Sequence, residues 1–337
     1  MSLAEATMAA APGAAAPALP LSFAGWGAAL PDRVVTNDEL ARTLDTSDAW
    51  VSERTGIRAR HVAGPGETTA ALAAAAGRRA LASAGIAAAA VDLLIVATTT
   101  PDRALPSTAA DVAALLGTPA AACDVNAACA GFAYALHLAA PAVATGLSPT
   151  TLLIGAERMS SVVDPTDRTT AVLFGDGAGA LVLAQRPPGT GAGVGAGVLA
   201  SALDGDAGLI PALEVPPGDA FLRMDGPAVF RAATRALVGS GRQVMERAGV
   251  TPDDVAWYVP HQANRRIIDA AVDRMGLAPD RVVLTLDRHG NTSAASIPLA
   301  LAEAADDGRI RPGDLVLTSA MGAGMSWGSV LLRWGTS

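Results

Sequence analysis

Cys129 stands in Asp124-Val-Asn-Ala-Ala-Cys-Ala-Gly-Phe-Ala-Tyr-Ala-Leu136, where an extended run gives way to a helix start made of small residues. Ala127, Ala128, Ala130 and Gly131 leave little bulk around the sulfur, so a tight turn can form and the thiol stays reachable. A helix N-terminus aims unpaired N–H groups and partial positive charge at whatever sits there. A thiol in that place is biased toward thiolate, the nucleophilic form. The competing reading is a small buried hydrophobe, the commoner fate of a free cysteine. Two residues could help a nucleophile. His261, in Val259-Pro-His-Gln-Ala-Asn-Arg-Arg266, directly follows an apolar strand-like run. Open α/β sheets carry their chemistry at the carboxyl ends of strands. Asn291, in Gly290-Asn-Thr-Ser-Ala-Ala-Ser296, heads a second small-residue helix. On these residues alone, His261 is as readily a hydrogen-bonded structural residue. Asn291 is more commonly an N-cap.

The surrounding pattern supplies elements to hold them. A strand-like run spans 21–28, and Thr36 or Asn37 caps a short helix start. Residues 68–84 read as an alanine-rich helix ending at Gly85, and 107–116 as another helix. The run 91–99 reads as a buried strand and 151–156 as another strand, with parallel sheets and helices on their faces expected, and the stretch 174–183 closes the first half. Pro187-Pro-Gly-Thr-Gly-Ala-Gly193 reads as a loop or linker. Ala84-Gly-Ile-Ala-Ala-Ala-Ala-Val-Asp-Leu-Leu-Ile-Val96 is echoed by Ala248-Gly-Val-Thr-Pro-Asp-Asp-Val-Ala-Trp-Tyr-Val-Pro260, at an offset of 164 residues. That offset carries Cys129 to Ser293. A period this long means two fused homologous halves rather than a solenoid. The expected division is a disordered tail over 1–20, a half with the nucleophile over 21–190, and a half with His261 and Asn291 over 191–337. The two small-residue helices should lie back to back as a shared central layer.

Half the chain is hydrophobic, which is ample for a large core. A net charge of −8 without any Lys/Arg-rich run argues against nucleic acid as a partner. Two cysteines, Cys123 and Cys129, do not make a secreted disulfide framework, so a reducing compartment, the cytoplasm, is expected. Cys123 is expected in the core. No apolar run reaches the roughly 18 residues of a membrane span. The first twenty residues lack the basic start of a signal peptide. His61, His137 and His289 are read as structural or surface residues, and no metal-ligand spacing or phosphate-binding P-loop occurs.

Five stretches in order resemble β-ketoacyl-ACP synthase III of the thiolase superfamily: Asn-Ala-Ala-Cys-Ala-Gly-Phe around Cys129, Phe174-Gly-Asp-Gly-Ala-Gly, His-Gln-Ala-Asn at 261–264, Gly-Asn-Thr-Ser-Ala-Ala-Ser at 290–296, and Gly-Ala-Gly-Met-Ser-Trp-Gly-Ser at 322–329. The resemblance covers about 21–337. It implies a thiolase-like α/β fold of five duplicated α-β-α-β-α layers, a homodimer, and a Cys-His-Asn triad. It implies that Cys129 takes an acyl group from acyl-CoA, while His261 and Asn291 bind the thioester carbonyl of malonyl-ACP as decarboxylation makes an enolate. Neutral or cationic donors suit the negative charge that develops there. The implied oxyanion hole uses the backbone N–H groups of Cys129 and Ala323. CoA would meet Trp50, Arg54 and Arg168, with Asn264 toward the pantetheine. Arg265 and Arg266 could give an acidic enzyme the local basic patch that an acidic carrier protein needs. Leu105 and Met325 stand where family members often place Phe at the acyl pocket. No cofactor is implied; acyl-CoA is a substrate.

The activity implied is the condensation of an acyl-CoA starter with malonyl-ACP, beginning fatty-acid or polyketide chains. One alternative passes the acyl group to an O- or N-nucleophile, and another hydrolyses it. An inactive partner subunit is the alternative of another class, against which the intact Cys129, His261 and Asn291 argue.

Overall fold

Alternation along the apolar runs decides how the layers stack. The computed structural model of the chain describes residues 18–186 and 196–335. Nine strands form its main sheet: β1 (Leu19–Ala29), β2 (Leu93–Ala97), β3 (Ala121–Val125), β4 (Thr150–Arg158), β5 (Asp176–Gln185), β6 (Gly197–Gly205), β7 (Trp257–Pro260), β8 (Leu315–Gly322) and β9 (Ser326–Arg333). Their order is β7-β8-β9-β6-β1-β5-β4-β2-β3. The principal helices are α1 (Asp48–Thr55), α2 (Thr69–Ala84), α3 (Thr108–Leu116), α4 (Gly131–Ala144), α5 (Gly226–Ala248), α6 (Arg265–Met275) and α7 (Ser296–Asp306).

Successive strand residues point to opposite faces, and here they enter different cores. Leu152 and Ile154 of β4 pack with α2 and α3 in an outer core, whereas Leu153 faces inward. Leu317 and Leu331 join α5 and α6 in the other outer core, whereas Val316, Val330 and Leu332 face inward. The inward residues meet Phe132, Leu136 and Val143 of α4 and Ile297, Ala300 and Leu301 of α7. The result is the five-layer, thiolase-like arrangement, with α4 and α7 as the shared central layer. Glycine lets α7 approach: a β-carbon on Gly155 of β4 would lie 2.4 Å from the carbonyl oxygen of Ala294.

The sheet is mixed, not parallel as expected. The pairs β2/β3, β2/β4 and β7/β8 are parallel, but β4/β5, β1/β5, β8/β9 and β9/β6 are antiparallel. Antiparallel neighbours need no crossover helix, and the three residues between β8 and β9 suffice there. The halves repeat one order, β1-β5-β4-β2-β3 against β6-β9-β8-β7, where Val282 bridges Tyr258 in the place of a fifth strand. Among the described residues, the pairs of Leu19 with Val198 and Pro20 with Gly197 join the two sets of strands into one sheet.

Those pairs put Leu19 and Pro20 in β1 rather than in the tail expected over 1–20; its remaining residues up to 17, and the stretch 187–195 with the linker and the division at 190, lie outside the described residues. The helix starts also adjust the repeat. Short turns at Ala128–Ala130 and Ser293–Ala295 precede α4 and α7, and Ala128 and Ser293 both have positive φ, 47° and 49°. This sets the offset at 165 residues there, so the structural counterpart of Cys129 is Ala294, not Ser293.

Candidate active site

The turn that presents Cys129 is built locally. Asn126 Oδ1 accepts from Ala128 N–H at 3.1 Å, which stabilises the bend after β3. Asn291 Oδ1 accepts from Ser293 N–H at 2.9 Å in the mirrored turn. Cys129 is buried, and this reverses the expected bias of its thiol. Burial pushes the thiol up to about 12; hydrogen bonding to Ser293 lowers it, and the charge of Glu157 raises it further. Desolvation therefore outweighs the helix-terminus effect at this sulfur.

His261 follows β7 and is fixed by its backbone N–H, which donates to Ser319 O at 2.8 Å. The ring is buried, its Nδ1 has no hydrogen-bond partner, and burial pushes its pKa down to about 4. It is a neutral imidazole at neutral pH. Asn291 follows Gly290, whose φ of 66° suits glycine, and a β-carbon there would lie 2.8 Å from Leu173 O. Asn291 N–H donates to that same Leu173 O at 2.8 Å, so one half holds the loop of the other. Because the Asn291 side-chain oxygen is occupied by Ser293, its amide NH₂ is the group left for a ligand.

Cys129, His261 and Asn291 line one cavity of about 120 Å³, together with Phe174, Asn264 and Met321. A second cavity of about 110 Å³ opens on Cys129 between Met159, Phe174, Leu213 and Leu222, with Ala323 in its wall. The acyl-pocket candidates line neither. Leu105 is 85% exposed, on the loop before α3. Met325 is buried in the outer core under α5 and α6, because the turn after β8 swings it away while its N–H and C=O bond to Asp206.

Trp50, Arg54 and Arg168 do come together. The guanidinium carbons of Arg54 and Arg168 lie 4.6 and 5.0 Å from the Trp50 ring centre. Asn264 links this group to the cavity: its Nδ2 donates to Arg54 O at 3.1 Å, and its Oδ1 caps α6 through Arg266 N–H. Arg265 and Arg266 are exposed on the first turn of α6, and Arg265 pairs with Asp269 at 2.6 Å. Cys123 is exposed on the edge strand β3, not in the core. Its strand has a neighbour on one side only, so little covers it.

Several residues of the site were not among the sequence candidates, among them Met321, Ser293 as a neighbour of the sulfur, and Glu157. Glu157 left a signal, a lone carboxylate closing the apolar run of β4.

Residues 123–207 match the family described as 3-oxoacyl-[acyl-carrier-protein (ACP)] synthase III, and residues 245–334 match its C-terminal domain. The β-ketoacyl-[acyl-carrier-protein] synthase III of Rhizobium rhizogenes is 51% identical over 317 residues, spanning 92% of this chain and 98% of its own. The chain belongs to the β-ketoacyl-[acyl-carrier-protein] synthase III family. Among solved structures, the synthase III of Aquifex aeolicus superposes with a TM-score of 0.89 at 41% identity, over 93% of this chain and all of the other. The priming β-ketosynthase of the R1128 polyketide pathway gives 0.87 at 37% identity, over 97% of this chain and all of the other. The synthase III family is thus matched in sequence and in fold. Among the described residues, no helix is long and apolar enough to cross a membrane.

Proposed function

We propose that this chain condenses an acyl-CoA starter with malonyl-ACP to a 3-oxoacyl-ACP, as a condensing acyltransferase that initiates fatty-acid synthesis. The observation that carries this reading is the single cavity shared by Cys129, His261 and Asn291, drawn from both halves of a synthase III chain. In this reading Cys129 attacks the thioester of acyl-CoA, and the N–H groups of Cys129 and Ala323 receive the oxyanion. Malonyl-ACP then replaces CoA, and neutral His261 and the Asn291 amide donate to the carbonyl that becomes an enolate. Neither donor carries a negative charge that would oppose it. CoA is assigned to Trp50, Arg54, Arg168 and Asn264, and carrier-protein docking to Arg265 and Arg266. No cofactor takes part.

We also propose a homodimer, supported by the exposed edge of β3 and by Leu105, whose place in an acyl pocket would then be in the partner subunit. A division of the chain near residue 190 into two halves is supported by the repeated strand order, and a cytoplasmic location by the two free thiols. The likeness to a priming ketosynthase extends the same chemistry to polyketide starters. The test is the mass added to Cys129 from a panel of acyl-CoAs, followed by product analysis with malonyl-ACP supplied or withheld. Acylation of Cys129 and 3-oxoacyl-ACP only with malonyl-ACP are expected; an acyl-enzyme that yields no 3-oxo product would overturn the reading.

A further inference from the structure

Glu157 is a fully buried carboxylate next to the nucleophile, and the chemistry above gives it no task. Its Oε2 accepts from the hydroxyls of Thr98 at 3.2 Å and Thr100 at 2.5 Å, and from Thr100 N–H at 3.1 Å. Thr99 N–H reaches both oxygens. Oε1 accepts from Ser293 Oγ at 3.0 Å, and Ser293 lines the second cavity beside Cys129, where it acts to lower the thiol. The three hydroxyls are not equivalent. Thr98 Oγ1 already accepts from Thr100 N–H, and Thr100 Oγ1 from Arg158 N–H. Among the described residues no backbone N–H donates to Ser293 Oγ, so its lone pairs are available to the thiol.

We propose that Glu157 is a positioning residue that takes up the proton of Cys129 through the Ser293 hydroxyl as the thiolate forms. The S–H bond breaks while its proton joins Ser293 Oγ, and the proton that Ser293 already carried moves to Glu157 Oε1. One carboxylate is exchanged for one thiolate, so the buried site keeps its net charge and avoids the cost of a second buried anion. After the exchange Ser293 donates to the sulfur and accepts from Glu157. This inference rests on the reading of Cys129 as the nucleophile.

The electrostatics run the same way. Burial pushes Glu157 up to about 7, against the hydrogen bonds of Thr100, Thr99, Ser293 and Ala294. Ionised Glu157 raises the Cys129 thiol, so protonating the carboxylate removes that repulsion. Among the described residues Cys129 is the one ionisable group facing it. The end of β2 presents Thr98–Thr100, β5 presents Gly177, the turn before α7 presents Ser293 and Ala294, and α2 packs Gly77 on this strand. The nearby Asp176 is turned to Ala63 N–H and to Ser160.

The test follows alkylation of Cys129 by iodoacetamide, read by intact mass in a Cys123→Ser background, from about pH 5.5 to about pH 9.5. Wild type should rise to a shoulder above about pH 7 and rise again only in strong alkali, as two coupled groups do. Glu157→Gln should lose the shoulder. Ser293→Ala, which leaves the other donors to Glu157 in place, should alkylate about tenfold or more slowly at neutral pH and lose it too. If Glu157→Gln does not fold, Ser293→Ala carries the test. A wild type without the shoulder, or a folded Glu157→Gln that keeps it, overturns the relay. Acylation of wild type by acyl-CoA is measured alongside. If that is absent the nucleophile reading has failed, and if it is normal without a shoulder only the relay has.

Discussion

Gly322 lies against the amide of Cys129 so closely that a β-carbon built on it would be 2.6 Å from that nitrogen. The end of β8 is thereby held on the turn before α4, and this contact brings Ala323 beside the sulfur. Gly322→Ala should push the two apart. Loss of one oxyanion donor costs on the order of 10²-fold, so acylation by acyl-CoA should slow by about that factor while the fold persists. Stopped-flow release of CoA measures it; an unchanged rate would remove this turn from the oxyanion hole.

Cys129→Ser should abolish acyl transfer from CoA, because a serine hydroxyl stays protonated without a strong base. Cys123→Ser should leave both activity and stability near wild type, since Cys123 is exposed on an edge strand. Intact mass after incubation with acyl-CoA distinguishes the two, and acylation of Cys129→Ser at the wild-type rate contradicts the assignment.

His261→Ala and Asn291→Ala should each lower condensation by about 10²-fold or more. The acyl-enzyme should still form, since in the proposed mechanism that step uses Cys129 and backbone donors. Variants that fail to acylate would show that these side chains serve the first half-reaction instead.

Arg266→Glu should raise KM for malonyl-ACP and leave acylation by CoA nearly unchanged. Charge steering is screened over about 8 Å at physiological salt. Wild-type KM should therefore worsen with added salt, and the variant should respond less. A salt-insensitive wild type with Arg266→Glu behaving identically would return Arg266 to an ordinary exposed helix residue.

Glu303 on α7 accepts from His289 Nε2 at 2.5 Å and pairs with Arg288, just before the Gly290–Asn291 loop. Burial alone would raise its carboxyl, but the His289 and Arg288 interactions override this and bring it down to about 2 from 4.5. A carboxyl lowered on folding stabilises the protein fully above its unfolded value, and that stability is lost as pH falls. Wild type should lose on the order of 3 kcal/mol between about pH 4.5 and about pH 2. Glu303→Gln should be less stable at neutral pH and flatter across that window in denaturant titrations. Parallel slopes for the two proteins would refute the role of the pair.

The strands and helices were largely legible because nearly all of β4, β5 and β8 is buried on both faces, and such runs are continuous in sequence. Their direction was not: an apolar run such as Asp176–Gln185 reads the same whether its neighbours are parallel or antiparallel. Cys123 misled for a related reason. Ala-Ala-Cys-Asp-Val has a core composition, but exposure follows from sheet position, and β3 is the last strand. Motif spacing picked out Cys129, His261 and Asn291, which the structure brings to one cavity. The thiol's high pKa was hidden, since burial is a property of the assembled layers. The relation of Trp50 to Arg168 was also beyond spacing arguments, with more than a hundred residues between them.

The two ends of the sheet differ, and the difference limits what can grow from it. At one end Val282 bridges Tyr258 beside β7, so that margin is partly blocked. At the other, β3 has neighbour β2 on one side and, among the described residues, no strand paired on the other. A bare strand margin is a template for another chain. Two copies meeting there across a two-fold axis would use up the open margin of each and leave only blocked ends outward. Association through this sheet would thus stop at two, and a polar substitution that disfavoured the pairing would leave every monomer with an unsatisfied, aggregation-prone border.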